Sequence, residues 1–114
     1  MLSKKEIEQY LCELDGWTLE EKKIKKIISV DNWKGVMLLA NTIAHICEVA
    51  WHHPDLLLTY SSVTIYLTSH DIDGVSMRDI ALAKKIDEII LWKPSEEDNP
   101  LEGTPDDDKY RYLK

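Results

Sequence analysis

Two adjacent histidines are the residues of this sequence best suited to acid–base chemistry. His52 and His53 stand between a run of helical apolar spacing and Pro54, in the segment EVAWHHPD. Imidazole changes its charge near neutral pH, so neighbouring histidines can serve as acid and base in one reaction. The proline disfavours helical backbone at His53, whereas His52 can occupy the last helical turn. We therefore expect the two rings to leave the backbone in different directions.

A third histidine, His70, follows a strand-like segment, so we expect three imidazoles to converge at one sheet edge. A helix C-terminus favours imidazolium, which would let one histidine act as acid while a neighbour acts as base. Zinc binding is the alternative, but the spacing of His52, His53 and His70 matches no zinc motif. His45 belongs to no motif, and we interpret it as a solvated or hydrogen-bonded side chain.

The composition is that of one small folded domain. The chain has 114 residues, 44% of them hydrophobic, and a net charge of -7, which disfavours direct contact with nucleic acid. We interpret the basic strip Lys22–Lys26 as a solvated strand face. No apolar run approaches the ~20 residues of a membrane span, and Cys12 and Cys47 lack a C-x-x-C spacing. We expect a cytoplasmic protein with reduced thiols and no membrane contact.

Capping boxes mark the starts of the first and last helices. Ser3 and Glu6 form one box, and Ser76 and Asp79 form the second, each followed by residues at helical spacing. The last helix is predicted to run to about Leu91. Asp79 therefore has a structural interpretation as a capping acid.

The middle helix is predicted between Asp31, as its cap, and Pro54, which must end it. Its apolar stripe is predicted to consist of six residues at helical spacing: Trp33, Met37, Ala40, Ala44, Cys47 and Trp51. Glu48 falls on the same helix and can be a simple surface carboxylate.

Strand-like runs occupy the segments between the helices. Trp17–Leu19 and Ile24–Val30 are predicted to form a hairpin. Leu56–Thr68 is strand-like, with a turn marked by Ser61-Ser62, and after that turn Val63, Ile65 and Leu67 alternate with polar residues. The order α-β-β-α-β-β-α predicts an α+β fold, a four-stranded antiparallel sheet with three helices packed on one face. Residues 1–92 form the predicted domain. Residues 93–114 form an acidic C-terminal extension whose end Tyr110, Tyr112 and Leu113 could pin.

The site residues together resemble the signature of the pterin-4a-carbinolamine dehydratases. That signature is matched by Glu48, His52-His53-Pro54, Tyr60, His70 and Asp79 at their observed spacing. The resemblance extends from LDGW, which ends at Trp17, through GVSMRDIALAKKID, which ends at Asp87. It implies the same four-stranded sheet with three helices.

The resemblance also implies an activity. The family is a group of hydro-lyases that dehydrate 4a-hydroxytetrahydropterin to quinonoid dihydropterin, without a metal or another cofactor, and so recycle tetrahydrobiopterin-type cofactors. Loss of hydroxide from C4a and of a proton from N5 requires an acid and a base. The resemblance assigns those catalytic roles to His52, His53 and His70. It places five further residues at the pterin-binding site: Trp51, Thr68, Ser69, Glu48 and Asp79.

The family further implies a homodimer or a homotetramer. An alternative function is that of a protein-binding module, because some relatives act as dimerisation partners of a transcription factor and as coactivators. The sequence departs from common relatives at Trp51, where they carry a polar residue, and at Leu56 and Leu58, where they carry an aromatic residue and a nearby asparagine. Trp51 therefore has two interpretations, a platform for a flat pterin or the last residue of the helix's apolar stripe.

Overall fold

The computed structural model describes residues 1–114, and its elements follow the predicted order. Three helices and four strands are present: α1 (Lys4–Leu11), β1 (Thr18–Glu20), β2 (Lys23–Ser29), α2 (Trp33–Ala50), β3 (Asp55–Thr59), β4 (Ser62–Leu67) and α3 (Met77–Ile90). All strand pairs are antiparallel, in the order β1-β2-β4-β3. The predicted α+β class is confirmed. None of the helices is long and apolar enough to cross a membrane.

The core lies between the sheet and the helices. Val63, Ile65 and Leu67 alternate along β4 and are fully buried, as predicted. They belong to one cluster with residues of α2 and α3. Ile27 and Leu57 point to the opposite face of the sheet and are more than half exposed. The helices therefore cover one face of the sheet and leave the other open.

Both predicted capping boxes are formed. Ser3 Oγ accepts a hydrogen bond from the Glu6 amide at 3.1 Å, and the Ser3 amide donates to Glu6 Oε1 at 3.0 Å. These bonds lower the pKa of Glu6. Ser76 and Asp79 form the second box at the start of α3. Each box satisfies amide groups that the first helical turn cannot pair internally.

The predicted cap of α2 is wrong, and its predicted apolar stripe is confirmed only at Ala40 and Cys47. Asn32, rather than Asp31, caps the helix, and its Oδ1 accepts from the Gly35 amide at 3.1 Å. Trp33 and Trp51 are exposed, whereas the buried stripe is displaced by about one residue from the predicted one and consists of Val36, Leu39, Ala40, Ile43, Ile46 and Cys47. Because α2 carries apolar residues on nearly every side, its sequence fits more than one stripe, and packing against the sheet selects one of them.

The basic strip in β2 is only partly a solvated face. The strand alternates, so Lys26 faces the helices with Ile24 and Ile28, and its Nζ lies 2.9 Å from Asp87 Oδ1. Asp87 also accepts a hydrogen bond from Trp17 Nε1 at 3.1 Å. Lys26 and Asp87 are both largely buried. The expectation of a solvated side chain is therefore wrong for Lys26.

The C-terminal extension returns to the domain at its last residues. Leu113 forms a β-bridge with Val30, and the Lys114 amide donates to the Ser29 carbonyl at 3.1 Å. Tyr112 packs against Gly35, while Tyr110 remains exposed. Tyr112 and Leu113 therefore hold the end of the chain beside β2, and Tyr110 does not.

Candidate active site

The candidate site lies where α2 ends, β4 ends and α3 begins. The start of β3 pairs with the end of β4, with Asp55 opposite Tyr66. This register brings the His52-His53 segment beside the residues that follow β4. Trp51 ends α2 in a left-handed conformation, and the His52 amide still donates to the Cys47 carbonyl at 3.1 Å. The helix therefore ends immediately before the two histidines.

His52 is held by a buried carboxylate. Its Nε2 lies 2.5 Å from Oδ1 of Asp79, which is fully buried. Oδ2 of Asp79 accepts hydrogen bonds from Ser69 Oγ at 2.8 Å and from the Ser76 amide at 2.9 Å. Because a carboxylate only accepts, we assign the hydrogen to Nε2 of His52. Nδ1 is then the ring atom that remains for another partner.

His53 has a separate partner. Its Nε2 lies 2.8 Å from Glu48 Oε1, so Glu48 is more than a free surface carboxylate. The ring of Trp51 meets the ring of His53 edge to face, with centroids 4.9 Å apart and planes at 83°. His53 is 52% exposed, compared with 14% for His52. The pair thus consists of one buried and one accessible imidazole, each with its own carboxylate.

Thr68, Ser69 and His70, which follow β4, differ in their burial and in their hydrogen-bond partners. Thr68 Oγ1 donates to the Lys22 carbonyl at 2.7 Å. Ser69 is fully buried, with its Oγ 2.7 Å from Ser76 Oγ, and its main chain pairs with Gly74. His70 is exposed and begins a short 3₁₀ helix. No side-chain hydrogen bond joins His70 to His52 or to His53.

Two exposed ion pairs hold the loop that carries His70. Lys22 Nζ lies 2.6 Å from Asp73, and Arg78 lies 2.6 Å from Asp71. The hydrogen bond from Lys22 lowers the pKa of Asp73, and the hydrogen bond from Arg78 lowers the pKa of Asp71. These contacts connect the loop to the turn between β1 and β2 on one side and to α3 on the other.

Sequence reasoning missed three supporting residues. Ser76 was recognised only as a helix cap, yet its Oγ also lies 2.7 Å from the Oγ of Ser69. Lys22 and Arg78 hold the loop, and no sequence signal distinguishes them from other surface cations. The buried capping acid, Asp79, was the one available sequence signal for these contacts. The carboxylate of a capping-box residue can also accept a hydrogen bond from a donor far away in the sequence. No three metal-ligating side chains of His, Cys, Asp or Glu converge in the structure.

The structure is that of a small α+β protein in which each of two adjacent histidines faces a carboxylate. Residues 1–89 match the family model described as Pterin 4 alpha carbinolamine dehydratase. The chain belongs to this family.

Relatives carry the same description. A protein of Aquifex aeolicus, named "Putative pterin-4-alpha-carbinolamine dehydratase", is 42% identical over 78% of this chain and 90% of its own. One of the same name from Roseiflexus sp. (strain RS-1) is 37% identical over 78% of this chain and 96% of its own. A crystal structure described as a transcriptional coactivator/pterin dehydratase from Brucella melitensis superposes with a TM-score of 0.72 at 27% identity. It covers 77% of this chain and 96% of that one.

Proposed function

We propose that this protein dehydrates 4a-hydroxytetrahydropterins to quinonoid dihydropterins, as a hydro-lyase in the recycling of tetrahydrobiopterin-type cofactors. Membership of the family supports the reaction class. The observation that carries the proposal is the arrangement of His52 and His53, whose Nε2 atoms both face carboxylates. This arrangement leaves the Nδ1 atoms of two neighbouring imidazoles for proton transfer.

The reaction requires two proton transfers and no change of oxidation state. An imidazolium donates a proton to the hydroxyl oxygen at C4a, which leaves as water when the C4a–O bond breaks. A neutral imidazole accepts the proton from N5, and a C4a=N5 double bond forms. We propose that His52, His53 and His70 share these roles. A proton returned from base to acid would complete the cycle.

We propose that the carboxylates act through the histidines. Both oxygens of Asp79 are occupied by donors from the protein, so Asp79 would orient His52 and would not contact the pterin. Ser69 is fully buried, and we assign it to holding Asp79. Glu48 would orient His53 in the same way. Such positioning fixes the tautomer and direction of an imidazole.

Trp51 and Thr68 remain the residues proposed to border the pterin itself. Trp51 is exposed beside His53, and Thr68 follows β4 directly before the Ser69-His70 pair. The proposed pocket is therefore bordered by an aromatic ring on the α2 side and by the end of β4 on the other.

The proposal is tested with purified protein and chemically generated 4a-hydroxytetrahydropterin. Formation of quinonoid dihydropterin is followed by absorbance against the spontaneous rate. A protein-dependent increase that saturates with substrate is the expected result. Equal rates with and without protein would exclude the activity.

A further inference from the structure

His70 differs from the other two histidines of the candidate site in what holds it in place. The rings of His52 and His53 each face a carboxylate, whereas the ring of His70 has no hydrogen-bond partner in the chain. His70 is also exposed and belongs to the loop of residues 69–74 (the His70 loop), whose ends Ser69 and Gly74 pair with each other. The position of its ring therefore depends on what fixes the main chain of this loop.

The turn between β1 and β2 contacts the chain on both sides of His70. The carbonyl oxygen of Lys22 accepts a hydrogen bond from Thr68 Oγ1 at 2.7 Å, just before the His70 loop. The ammonium group of the same lysine lies 2.6 Å from Asp73 Oδ2, near the end of that loop. One residue of a turn that is distant in the sequence thus contacts the chain both before and after the histidine.

The backbone on both sides of this contact is in the left-handed region. Lys22 follows Glu21 in the turn between the paired residues Glu20 and Lys23, and Glu21 has a φ of 57°. Asp73, the partner of Lys22, has a φ of 51°. Left-handed backbone is uncommon for residues other than glycine, and it persists where the surrounding contacts determine it. The two turns together place Lys22 Nζ within hydrogen-bonding distance of the Asp73 carboxylate.

The ion pair is close to His70 and open to solvent. The hydrogen bond from Lys22 is the main cause of the lowered pKa of Asp73, and the charge of nearby His70 lowers that pKa further. The side chains of Lys22 and Asp73 are 66% and 81% exposed. Dissolved salt therefore screens their attraction. A second exposed ion pair, between Arg78 and Asp71, holds the loop to α3 and does not involve Lys22.

We infer that Lys22 is a positioning residue for His70, whose contacts with Thr68 and Asp73 hold the His70 loop in the geometry that proton transfer requires. This inference rests on the proposed function, since it concerns how one of the proposed acid–base residues is held. A misplaced proton-transfer group slows the chemical step, whereas the contacts that bind the substrate elsewhere are retained. Loss of the Lys22 side chain should therefore lower kcat and leave KM unchanged.

The test compares Lys22→Met with Lys22→Arg in the dehydration of chemically generated 4a-hydroxytetrahydropterin. Methionine removes the charge and keeps most of the apolar chain, whereas arginine keeps the charge. For Lys22→Met we expect kcat to fall about fivefold, less than the ~10²-fold that a complete misplacement can cost, because the main-chain bond to Thr68 and the Arg78–Asp71 pair remain. KM should not change. Lys22→Arg should keep both constants close to those of the wild type.

Salt dependence and amide hydrogen exchange show whether Lys22 acts through the loop. A rise in salt from about 0.01 M to about 1 M should lower kcat of the wild type toward that of Lys22→Met and leave the variant nearly unchanged. The amides of Ile72, Asp73 and Gly74 donate to carbonyls within the His70 loop. Their exchange should be about threefold faster in Lys22→Met, the size expected when one exposed ion pair is lost. The amides of β4 should keep their exchange rates.

A second variant and a matched control accompany this test. Asp73→Asn removes the other partner of the ion pair, so the double variant should lose no more kcat than Lys22→Met alone. Lys85→Met is the control, because Lys85 and Glu88 also form an exposed ion pair, 2.9 Å apart, but both residues lie on α3. Its replacement should leave kcat, its salt dependence and the exchange of the His70 loop unchanged. A control that loses kcat as much as Lys22→Met would overturn the inference.

Three results for Lys22→Met would also overturn the inference: an unchanged kcat, a rise of KM at constant kcat, or a loss of kcat with unchanged exchange of the His70 loop. The second would mean that Lys22 contacts the substrate, and the third that it does not act through the loop. An active wild type whose Lys22→Met variant matches it in kcat and in loop exchange would refute only this inference. A wild type that does not accelerate dehydration would refute the proposed function, and hydrogen exchange would still show whether Lys22 holds the loop.

Discussion

At the scale of single residues, the two adjacent histidines occupy different environments although they are neighbours in the chain. His52 is largely buried against Asp79, and His53 is half exposed between Glu48 and Trp51. Pro54 accounts for part of this difference, because it keeps His53 out of the helix. The divergence of the two rings predicted from the proline therefore agrees with their separate partners.

Replacement of the site histidines should separate chemistry from packing. We expect His52→Ala, His53→Ala and His70→Ala each to lower kcat/KM by at least ~10²-fold, the scale of losing a general acid or base. His45→Ala is the control: it lies on α2 outside the signature and should stay within a few-fold. Steady-state kinetics measures the effect. Equal, small effects from all four would mean that the His-His-Pro segment only ends the helix.

The same variants should differ in stability. His53→Ala and His70→Ala remove exposed side chains, so the free energy of unfolding should barely change. His52→Ala removes a partner of buried Asp79 and should cost about 1–3 kcal/mol. Urea denaturation provides the values. A large loss for His53→Ala would assign that residue to structure.

The two cysteines should react differently with thiol reagents. Burial raises the pKa of the Cys47 thiol to about 11 from its ordinary value of 9.0, whereas Cys12 is exposed. At pH 8 we expect one fast-reacting thiol per native chain and two in denaturant, and a Cys12→Ser variant should lose the fast one. Fast labelling of Cys47 in the native protein would contradict its burial.

The raised pKa of Cys47 also has a consequence for stability. The unfolded thiol ionises near 9.0 and the folded one near 11, so the neutral thiol contributes its full stabilisation below pH 9. That contribution is lost as the pH rises through 11.

At the scale of secondary-structure elements, α2 separates the candidate site from the C-terminal extension. The helix has 18 residues and spans roughly 27 Å at 1.5 Å per residue. The histidines follow its last residue, while Tyr112 packs beside Gly35 in its first turn. Arg111 lies 3.7 Å from Asp31 at the same end, which gives Asp31 a role other than the predicted cap. The extension therefore supports the end of the domain that is remote from the site.

Tyr112→Ala should weaken the fold without affecting catalysis. Loss of the half-buried ring should lower the free energy of unfolding by about 1–2 kcal/mol, less than for a fully buried aromatic residue. KM and kcat should not change. Tyr110→Ala is the control. Because Tyr110 is exposed, its replacement should lower the free energy of unfolding by no more than ~0.5 kcal/mol. Denaturant unfolding and steady-state kinetics test both variants, and a reduced kcat for Tyr112→Ala would contradict the separation of the two ends.

At the scale of the whole molecule, apolar side chains remain on surfaces that the chain itself does not cover. Leu38 and Val49 are exposed on the outer side of α2, and Ile27 and Leu57 are exposed on the open face of the sheet. The outer strands β1 and β3 also leave unpaired edges. Edges and apolar faces of this kind are commonly covered by assembly.

We propose a homodimer or a homotetramer. Light scattering at micromolar concentration should give at least twice the chain mass of 13.2 kDa. Val49→Asp should reduce the mass if copies pack through α2, and Leu57→Lys should reduce it if they pack through the sheet. A monomer mass for the wild-type protein would refute the proposal.

The sequence alone determined the features that depend on neighbouring residues. Capping boxes at Ser3 and Ser76 join groups three residues apart, and Pro54 acts on the residue before it, so these signals can be read locally. Strand alternation likewise follows from the two-residue repeat, which predicted the buried face of β4. The order of the elements and the position of the histidine pair follow from the same local rules.

Only the tertiary structure decided which residues become partners across the chain. Asp79 contacts His52, which is 27 positions away in the sequence, and Lys26 contacts Asp87, which is 61 positions away. The buried side of α2 and the exposure of Trp51 were likewise set by what packs against them. The physical reason is that hydrogen-bonded turns are completed within a few residues. Burial and ion pairing depend instead on elements that meet only when the sheet and helices assemble.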